Sequence, residues 1–399
     1  MPKYRTLDDI DVRGKRVLLR ADLNVPVKDG VVTDATRIER LTPTIAALLD
    51  KGAAVVVMSH FGRPKGKPDP ALSLRPLIAP LSAAIGGRPV AFAEDSIGDS
   101  AKRVVAALRP GEVALLENLR FHKGEEENSP QFARALAELG EVYVDDAFSA
   151  AHRAHASIAA LAQLLPAAAG KLMQEELSAL AKALDTPARP VIALVGGAKV
   201  STKLDLLGSL LAKVDLMAIG GAMANTLLLA EGNEVGRSLA ERDMIDSARH
   251  ILDLARARSC RVILPVDAVV AAALAPGVES RAVAIDAVPA DRMILDIGPA
   301  TVACILAALR ASATLVWNGP LGAFETPPFD AGTAAVAKEV ARLTGEGRLM
   351  SVAGGGDTVA ALAAAGVEDR LSYVSTAGGA FLEWLEGREL PGVAALAVP

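Results

Sequence analysis

The sequence lacks several features that would assign it to a specialised class of protein. It contains only two cysteines, Cys260 and Cys304, each in an apolar periodic segment typical of a small core residue. This disfavours a disulfide framework or a cysteine metal site. No stretch approaches the roughly 18 uninterrupted apolar residues of a membrane-spanning helix. The charged start MPKYRTLDDIDVRGKR does not resemble a secretory signal. We therefore expect a cytoplasmic protein with no membrane partner.

The sequence also lacks an excess of positive charge. The formal net charge is -5, whereas nucleic-acid-binding domains usually carry a broad basic face. We expect no nucleic-acid partner, and nothing in the sequence requires assembly beyond a monomer. The 399 residues are 51% hydrophobic, and chains commonly split into domains beyond about 250 to 300 residues. Two globular domains are predicted.

Several common catalytic signatures are missing. There is no GxxxxGK[ST] phosphate loop, no HRD or DFG pair and no GxSxG elbow. There is no GxGxxG after the first strand, which weakens the case for an NAD-dependent oxidoreductase. His152 and His155 are three residues apart but have no acidic or cysteine companions at ligand spacing, which disfavours a zinc site.

Short β-branched apolar runs alternate with helical patterns, which predicts βαβ units and parallel sheets. We predict an α/β protein of two doubly wound parallel-sheet, Rossmann-like domains, joined by a connecting helix and separated by a cleft. The helix is predicted at Lys171–Leu184, and others at 243–258 and 359–365. The predicted strands are 16–19, 54–58, 113–116, 142–144, 191–195, 216–219, 262–264, 314–316, 349–353 and 372–375.

The segments that follow the strands differ between the two halves. Ligands of doubly wound sheets bind beyond the carboxyl ends of the strands. In the first half these segments are rich in Arg, His, Asp and Asn, and the guanidinium fork suits phosphate and carboxylate. This half is predicted to bind a compact polyanion, with Arg20 the first candidate for a purely structural role. The arginines at or just past the strand ends are Arg20, Arg37, Arg63, Arg120 and Arg153.

In the second half the corresponding segments are rich in glycine, which lets a backbone approach a phosphate closely. GGGDT at 354–358 precedes a helical run, so its N–H groups are predicted to bind phosphate and Asp357 to bind magnesium. Lys199 and Lys203 are predicted to lie one helical turn apart on one face. This half is predicted to bind a nucleotide.

Taken in order, these segments resemble the signature segments of the phosphoglycerate kinase family, and the match runs from about residue 16 to residue 393. The resemblance implies a phosphotransferase that reversibly moves a phosphoryl group between 1,3-bisphosphoglycerate and Mg-ADP, giving 3-phosphoglycerate and Mg-ATP, with Mg²⁺ as the cofactor. The segments are RADLNVP, SHFGRPKG, ENLRFHKGEEEN, DAFSAAHRAHAS, GGAKVSTKL, WNGPLGAFE, GGGDT and STAGGAFLEWLEG.

The resemblance also implies roles for individual residues. The positions for 3-phosphoglycerate are Asp22, Leu23, Asn24, Arg37, His60, Phe61, Gly62, Arg63, Arg120 and Arg153. Those for the nucleotide are Gly197, Lys199, Lys203, Gly220, Gly221, Asn318, Pro320, Glu325, Gly355, Gly356, Asp357 and Thr358, with Asp357 also the magnesium ligand. Those for catalysis are Arg37, Lys203, Gly378 and Gly379.

The predicted domain boundary follows from the helix Lys171–Leu184 and the two prolines of the stretch 185–190, and the resemblance implies that the C-terminal segment returns to the first domain. Residues 1–170, with a C-terminal segment of about 386–399 packed on them, form the 3-phosphoglycerate-binding domain. Residues 171–188 form the connecting helix and hinge, and residues 189–385 form the nucleotide-binding domain.

The chain departs from the family pattern at two places, and two other functions stay open on the sequence alone. Ser149-Ala150 stands where the family commonly has Gly-Thr, and Ala377 stands where it commonly has a third glycine. We expect the methyl group of Ala377 to restrict backbone approach to the transferred phosphoryl group without abolishing activity. The open alternatives are an NAD-dependent oxidoreductase and a non-catalytic paralogue that retains the fold.

Overall fold

The computed structural model describes residues 3–28 and 30–398. The chain divides into two compact units, one running up to Ser178 and including the segment from Glu389 onward, the other spanning Ala179–Arg388. The division falls within the helix Lys171–Leu184. Within the described residues, no helix is long and apolar enough to cross a membrane.

The first unit is built on a six-stranded, entirely parallel sheet in the order β5-β6-β4-β1-β7-β8. Its central strands are apolar and buried on both faces, as expected when helices cover both sides of a parallel sheet. The six strands of this sheet are β1 Arg16–Arg20, β4 Ala54–Met58, β5 Val90–Ala93, β6 Val113–Leu116, β7 Val142–Asp145 and β8 Ala167–Ala169. Two short strands, β2 Val27–Lys28 and β3 Val31–Val32, pair with each other in a separate antiparallel sheet. The helices are α1 Thr36–Asp50, α2 Ile78–Ala84, α3 Gly98–Ala106, α4 Lys123–Glu126, α5 Pro130–Ala137 and α6 Lys171–Leu184.

The second unit repeats this plan and adds a small sheet. Its parallel six-stranded sheet has the order β11-β10-β9-β15-β16-β17, and an antiparallel sheet has the order β13-β12-β14. The strands are β9 Val191–Val195, β10 Leu216–Ile219, β11 Arg261–Ile263, β12 Asp267–Ala271, β13 Ser280–Ala284, β14 Met293–Ile297, β15 Thr314–Asn318, β16 Met350–Gly354 and β17 Tyr373–Ser375. The helices are α7 Leu204–Leu211, α8 Gly221–Ala230, α9 Ile245–Ala257, α10 Pro299–Arg310, α11 Ala331–Gly345, α12 Gly356–Ala364 and α13 Gly379–Leu385.

The last helix, α14 Pro391–Leu396, belongs to the first unit. Gly392 donates its N–H to the carbonyl of Ala151 at 2.8 Å, and a Cβ at Gly392 would lie only 2.9 Å from Ala151 Cα. The C-terminal segment therefore packs closely on the segment that follows β7.

The two predicted parallel-sheet domains are confirmed, and each of the ten predicted strands is present within two residues of its predicted limits. The sequence pattern missed β2, β3, β5, β8 and the antiparallel sheet β12–β14, because these strands are short, alanine-rich or interrupted by charged residues. The helix predicted at 359–365 begins earlier, at Gly356, and the helix predicted at 243–258 is α9, preceded by a 3₁₀ turn, Arg242–Met244.

The prediction that both cysteines lie in the core is correct for one and wrong for the other. Cys260 is buried, but Cys304 is exposed on α10. An alanine-rich helix is apolar around much of its circumference, so its pattern does not identify the face that meets the sheet.

Candidate functional site

The carboxyl ends of β1, β4 and β6 bring polar side chains of the first unit together. Asn24, after β1, accepts the N–H of Gly62 at 3.0 Å through its side-chain oxygen. Arg120, after β6, donates to the carbonyl of Gly62 at 2.8 Å. Gly62 has φ +58°, and a Cβ there would lie 2.7 Å from Leu72 Cδ2. We call Asp22, Asn24, Arg37, His60, Gly62 and Arg120 the arginine cluster.

Asp22 is the acidic member of the arginine cluster. Its carboxylate accepts from Arg37 Nη1 at 2.7 Å and from Ser149 Oγ at 2.5 Å. Arg37 also donates to the carbonyl of Asn24 at 3.2 Å. The prediction that Arg37 lies past a strand end is wrong, because it lies in the first turn of α1. Ser149, one of the departures from the family pattern, orients Asp22.

His60 and His155 lie among positive charges. His60 is buried, and burial, followed by the charges of Arg20 and Arg120, holds its pKa well below the ordinary value. Burial and the Arg120 charge likewise lower the pKa of His155 to about 4. Both imidazoles are therefore neutral at pH 7. The prediction that Arg20 is structural agrees with its complete burial.

The remaining predicted residues of this half occupy different environments. Arg63 and Arg153 are exposed, and the Arg153 charge acts on both Arg120 and His155. Leu23 is fully buried and its N–H donates to Ser59 Oγ at 2.9 Å, so its side chain belongs to the core and cannot contact a ligand. Phe61 is half-buried and packs against the same core. Cations thus outnumber carboxylates in the cluster, which suits a small polyanion.

A cavity of about 300 Å³ lies in the second unit, at the ends of β9, β10 and β15. Five of the predicted residues line it: Gly197, Gly221, Pro320, Glu325 and Asp357. The wall also contains apolar residues that the sequence pattern did not identify, several of them on the unpredicted strand β14. They include Leu239, Met293, Leu295 and Phe324. One polar end and an apolar wall are typical of a site for a small organic ligand.

The glycine pairs allow the loops around this cavity to touch one another. A Cβ at Gly196 would lie 1.8 Å from the Pro320 carbonyl oxygen, and one at Gly220 would lie 2.7 Å from Leu321 Cδ2. Gly221 has φ +68°, and its Cβ would lie 2.7 Å from the Gly197 carbonyl oxygen. Backbone packing therefore requires these glycines whether or not a ligand is bound.

Lys203 points towards the same loops from the 3₁₀ turn Ser201–Lys203. Its ammonium group donates to the side-chain oxygen of Asn318, and burial lowers its pKa to about 8, opposed by the charge of Asp357. The prediction that Lys199 shares one helical face with Lys203 is wrong. Lys199 precedes the 3₁₀ turn, is exposed and lies outside the cavity wall.

Asn318 and Thr358 connect β15 to the start of α12. Asn318 donates to the carbonyl of Gly354 at 2.8 Å, and Thr358 Oγ1 accepts the N–H of Gly319 at 2.7 Å. Gly355 precedes α12 with φ +97°, and a Cβ on it would lie 2.7 Å from Asn318 Nδ2. These contacts hold the first turn of α12 against β15.

Gly356 and Asp357 form the exposed start of α12. A Cβ at Gly356 would meet nothing within 4 Å, so packing does not require this glycine. Gly378, with φ +53°, and Gly379 form the start of α13, outside the cavity wall. Ala377 is buried and its N–H donates to Ser375 Oγ at 3.2 Å. Its methyl group therefore lies in the interior of the unit.

Comparison with known proteins shows the family to which the chain belongs. The family model for phosphoglycerate kinase matches residues 7–388. Phosphoglycerate kinase of Methylorubrum extorquens is 62% identical over 397 residues, covering 99% of each chain. That of Rhodospirillum centenum is 61% identical over 393 residues, covering 98% of this chain and 99% of its own.

Solved structures agree with the sequence relatives. The structure of phosphoglycerate kinase from Coxiella burnetii has a TM-score of 0.92 and 41% identity, covering 99% of each chain. The enzyme from Pyrococcus horikoshii has a TM-score of 0.80 and 31% identity, covering 98% of each. The oxidoreductase and non-catalytic interpretations are therefore set aside. The chain belongs to the phosphoglycerate kinase family, whose members are glycolytic phosphotransferases acting on a carboxyl acceptor.

Proposed function

We propose that the arginine cluster, with Arg63 and Arg153, binds 3-phosphoglycerate. The observation that carries this proposal is the gathering of positive charge at one edge of the sheet. The charges of Arg37 and Arg120 both act on buried His60, and Arg37 is paired with Asp22. Arginine forks pair with the phosphate and carboxylate groups of the triose, while Asp22 and Asn24 accept from its hydroxyl. Phe61 and Gly62 shape the loop that carries His60 and Arg63.

We propose that the glycine-lined cavity binds the adenosine of ATP or ADP. The apolar wall receives the base, and Glu325 at the rim accepts from the ribose hydroxyls. Lys203, Asn318 and the start of α12 meet the phosphates, because exposed N–H groups at a helix start complement negative charge. Gly197, Gly220, Gly221 and Pro320 form the loops at one side of the adenosine, and Lys199 adds positive charge nearby.

Magnesium is proposed as the ion bound with the nucleotide. No group of three or more His, Cys, Asp or Glu side chains converges among residues 3–28 and 30–398. Mg²⁺ is usually held by one or two carboxylates together with substrate phosphates and water, and the exposed carboxylate of Asp357 fits that requirement. When bound, the ion neutralises charge on the phosphate oxygens.

The proposed reaction needs no protein base. In the direction that consumes ATP, the nucleophile is the carboxylate of 3-phosphoglycerate, which is already ionised at neutral pH. The protein is left to align donor and acceptor and to stabilise charge on the transferred phosphoryl group. Arg37 and Lys203 supply positive charge, and the N–H groups of Gly378 and Gly379 supply hydrogen bonds.

A coupled assay tests this function directly. Purified protein with 3-phosphoglycerate and Mg-ATP is expected to form 1,3-bisphosphoglycerate. An added dehydrogenase reduces this product, and the accompanying oxidation of NADH is measured by absorbance. Folded protein with no turnover above background would refute the proposal.

The magnesium assignment predicts the behaviour of Asp357→Asn. The neutral amide is a weaker ligand for a hard cation, so the apparent KM for Mg-ATP should rise about tenfold and more Mg²⁺ should be needed for saturation. The matched control is Asp246→Asn, which removes an exposed carboxylate from the first turn of α9 in the same unit. A normal magnesium titration of Asp357→Asn would remove Asp357 from the site.

Domain closure is proposed as the step that assembles the reaction. The proposed triose residues lie in the first unit and the nucleotide residues in the second. Water must be excluded from the transferred phosphoryl group, so we expect the two ligands together to favour a form in which the two units close around them. The hinge is placed at α6 and its exit, residues 186–190, because hinges lie at element ends.

Small-angle X-ray scattering tests this closure. The radius of gyration is expected to fall clearly with 3-phosphoglycerate and a non-hydrolysable Mg-nucleotide together, and less with either ligand alone. An identical radius for the free protein and the ternary complex would contradict closure.

The glycolytic role supports a cytoplasmic location, and a complete set of proposed residues within one chain supports a monomer. Light scattering after size exclusion tests the second point.

A further inference from the structure

A chain of buried polar side chains lies beneath the arginine cluster. It runs from Glu125 through Ser157 and Arg20 to His60, and we call these four residues the buried polar chain. Glu125, Ser157 and Arg20 have no exposed surface, and His60 is 8% exposed. Buried charges are tolerated only when they are paired and hydrogen-bonded. Within the buried polar chain, each of these groups has a hydrogen-bond partner.

In the buried polar chain, the donor and the acceptor of each hydrogen bond can be assigned. Ser157 donates to Glu125 through both its N–H, at 2.9 Å, and its hydroxyl, at 2.6 Å. With its hydrogen donated to the carboxylate, Ser157 Oγ accepts from Arg20 Nε at 2.9 Å. Arg20 also donates to the carbonyl of Ala21. A guanidinium has only N–H donors and no acceptor.

The last contact of the chain therefore determines the tautomer of His60. Arg20 Nη2 lies 3.1 Å from His60 Nδ1, so Nδ1 must accept. The groups that act on this ring are Arg20, Arg37, Arg120 and His155, of which the arginines are positive, and burial adds to their effect by lowering the pKa of His60. A neutral imidazole carries a single N–H, and Nε2 is the remaining nitrogen.

We propose that Arg20 is a positioning residue that holds His60 as its Nε2–H tautomer, so that neutral His60 donates this hydrogen to the triose. The triose contact rests on the proposed function, whereas the tautomer rests on the contacts of Arg20 alone. The Nε2–H group of His60 then remains a hydrogen-bond donor across the pH range in which an ordinary histidine titrates.

The tautomer can be read in the unmodified protein. Long-range ¹H–¹⁵N correlation spectra of protein labelled with ¹⁵N-histidine distinguish a protonated ring nitrogen from an accepting one. His60→Gln assigns the His60 signals among the five histidines. We expect Nδ1 to be unprotonated and Nε2 protonated at every point from pH 6 to pH 8. A protonated Nδ1, or an imidazolium at pH 7, would overturn the proposal.

Arg20→Met tests the positioning role. It removes the donor to Nδ1, so both His60 tautomers should appear in the spectrum. The KM for 3-phosphoglycerate should rise about tenfold, with the KM for ATP unchanged. The control is Tyr143→Phe, which removes a buried hydrogen bond of 2.7 Å to the Ser157 carbonyl but leaves Arg20 against His60. An unchanged tautomer and unchanged KM in folded Arg20→Met would overturn the role of Arg20.

The two parts of the inference fail separately. If Arg20→Met does not fold, the spectrum of the unmodified protein still decides the tautomer. If the tautomer is Nε2–H but the His60 signals do not move when 3-phosphoglycerate is added, the triose contact of the proposed function is refuted while the tautomer assignment is supported.

Discussion

Arg37→Ala is expected to lower kcat by about 10²- to 10⁵-fold, because a cation that stabilises the transferred phosphoryl group acts mainly in the transition state. Its guanidinium is anchored at 2.7 Å to Asp22, and its side chain remains 36% exposed, so it is held in place and still available to a ligand. Nucleotide affinity should change little, since the KM for ATP reports contacts made by the second unit. Steady-state kinetics with each substrate varied separately gives both values.

Two variants make the Arg37 result specific. Arg37→Lys keeps the charge but loses the planar fork, so its kcat should lie between those of the unmodified protein and Arg37→Ala. Arg103→Ala removes an exposed arginine from α3 in the same unit and should leave the kinetics unchanged. A normal kcat in Arg37→Ala would show that Arg37 takes no part in the reaction.

Lys203→Met should lower kcat by about 10²- to 10³-fold, the effect of removing one positioned donor from a developing charge. Methionine retains much of the length and apolar surface of the lysine stem, so the loss reports the ammonium group. In the free protein this group contacts Asn318, which a phosphate oxygen is expected to replace. Lys338→Met, an exposed change on α11, is the control.

The lowered pKa of Lys203 gives this prediction a pH dependence. Burial brings the pKa to about 8 in the free protein, so the ammonium form predominates below pH 8, is half lost at that pH and disappears as the pH rises further. A bound phosphate favours the charged form, which means that binding takes up a proton near pH 8. The KM for ATP should therefore rise above pH 8.

Lys203→Arg separates this effect from a general loss of stability. Arginine keeps its charge throughout this range, so the rise in KM above pH 8 should disappear in that variant. Titration calorimetry at pH 8 in two buffers of different ionisation enthalpy measures the proton uptake. A KM for ATP that is flat from pH 7 to pH 9 in the unmodified protein would contradict the role assigned to Lys203.

Much of the fold could be predicted from the sequence because the parallel strands are buried on both faces. Such strands are continuous apolar runs, and β1, β4, β9 and β15 were all recognised in this way. The edge strands β5 and β8 and the antiparallel strands β12–β14 were not, since partly exposed or alanine-rich strands give little periodic signal. The apolar wall that Met293 and Leu295 contribute to the cavity was missed for the same reason.

The sequence by itself determined which residue types follow each strand. A parallel sheet brings the carboxyl ends of all its strands to one edge, so these residues were expected to lie together. That was sufficient to separate an arginine half from a glycine half. Only the tertiary structure decided what each residue contacts. Leu23 is fully buried between half-buried Asp22 and Asn24, Lys199 is exposed whereas Lys203 is half-buried, and a side chain at Gly196 would collide with the carbonyl of Pro320. These outcomes depend on atoms from distant segments that no local pattern specifies.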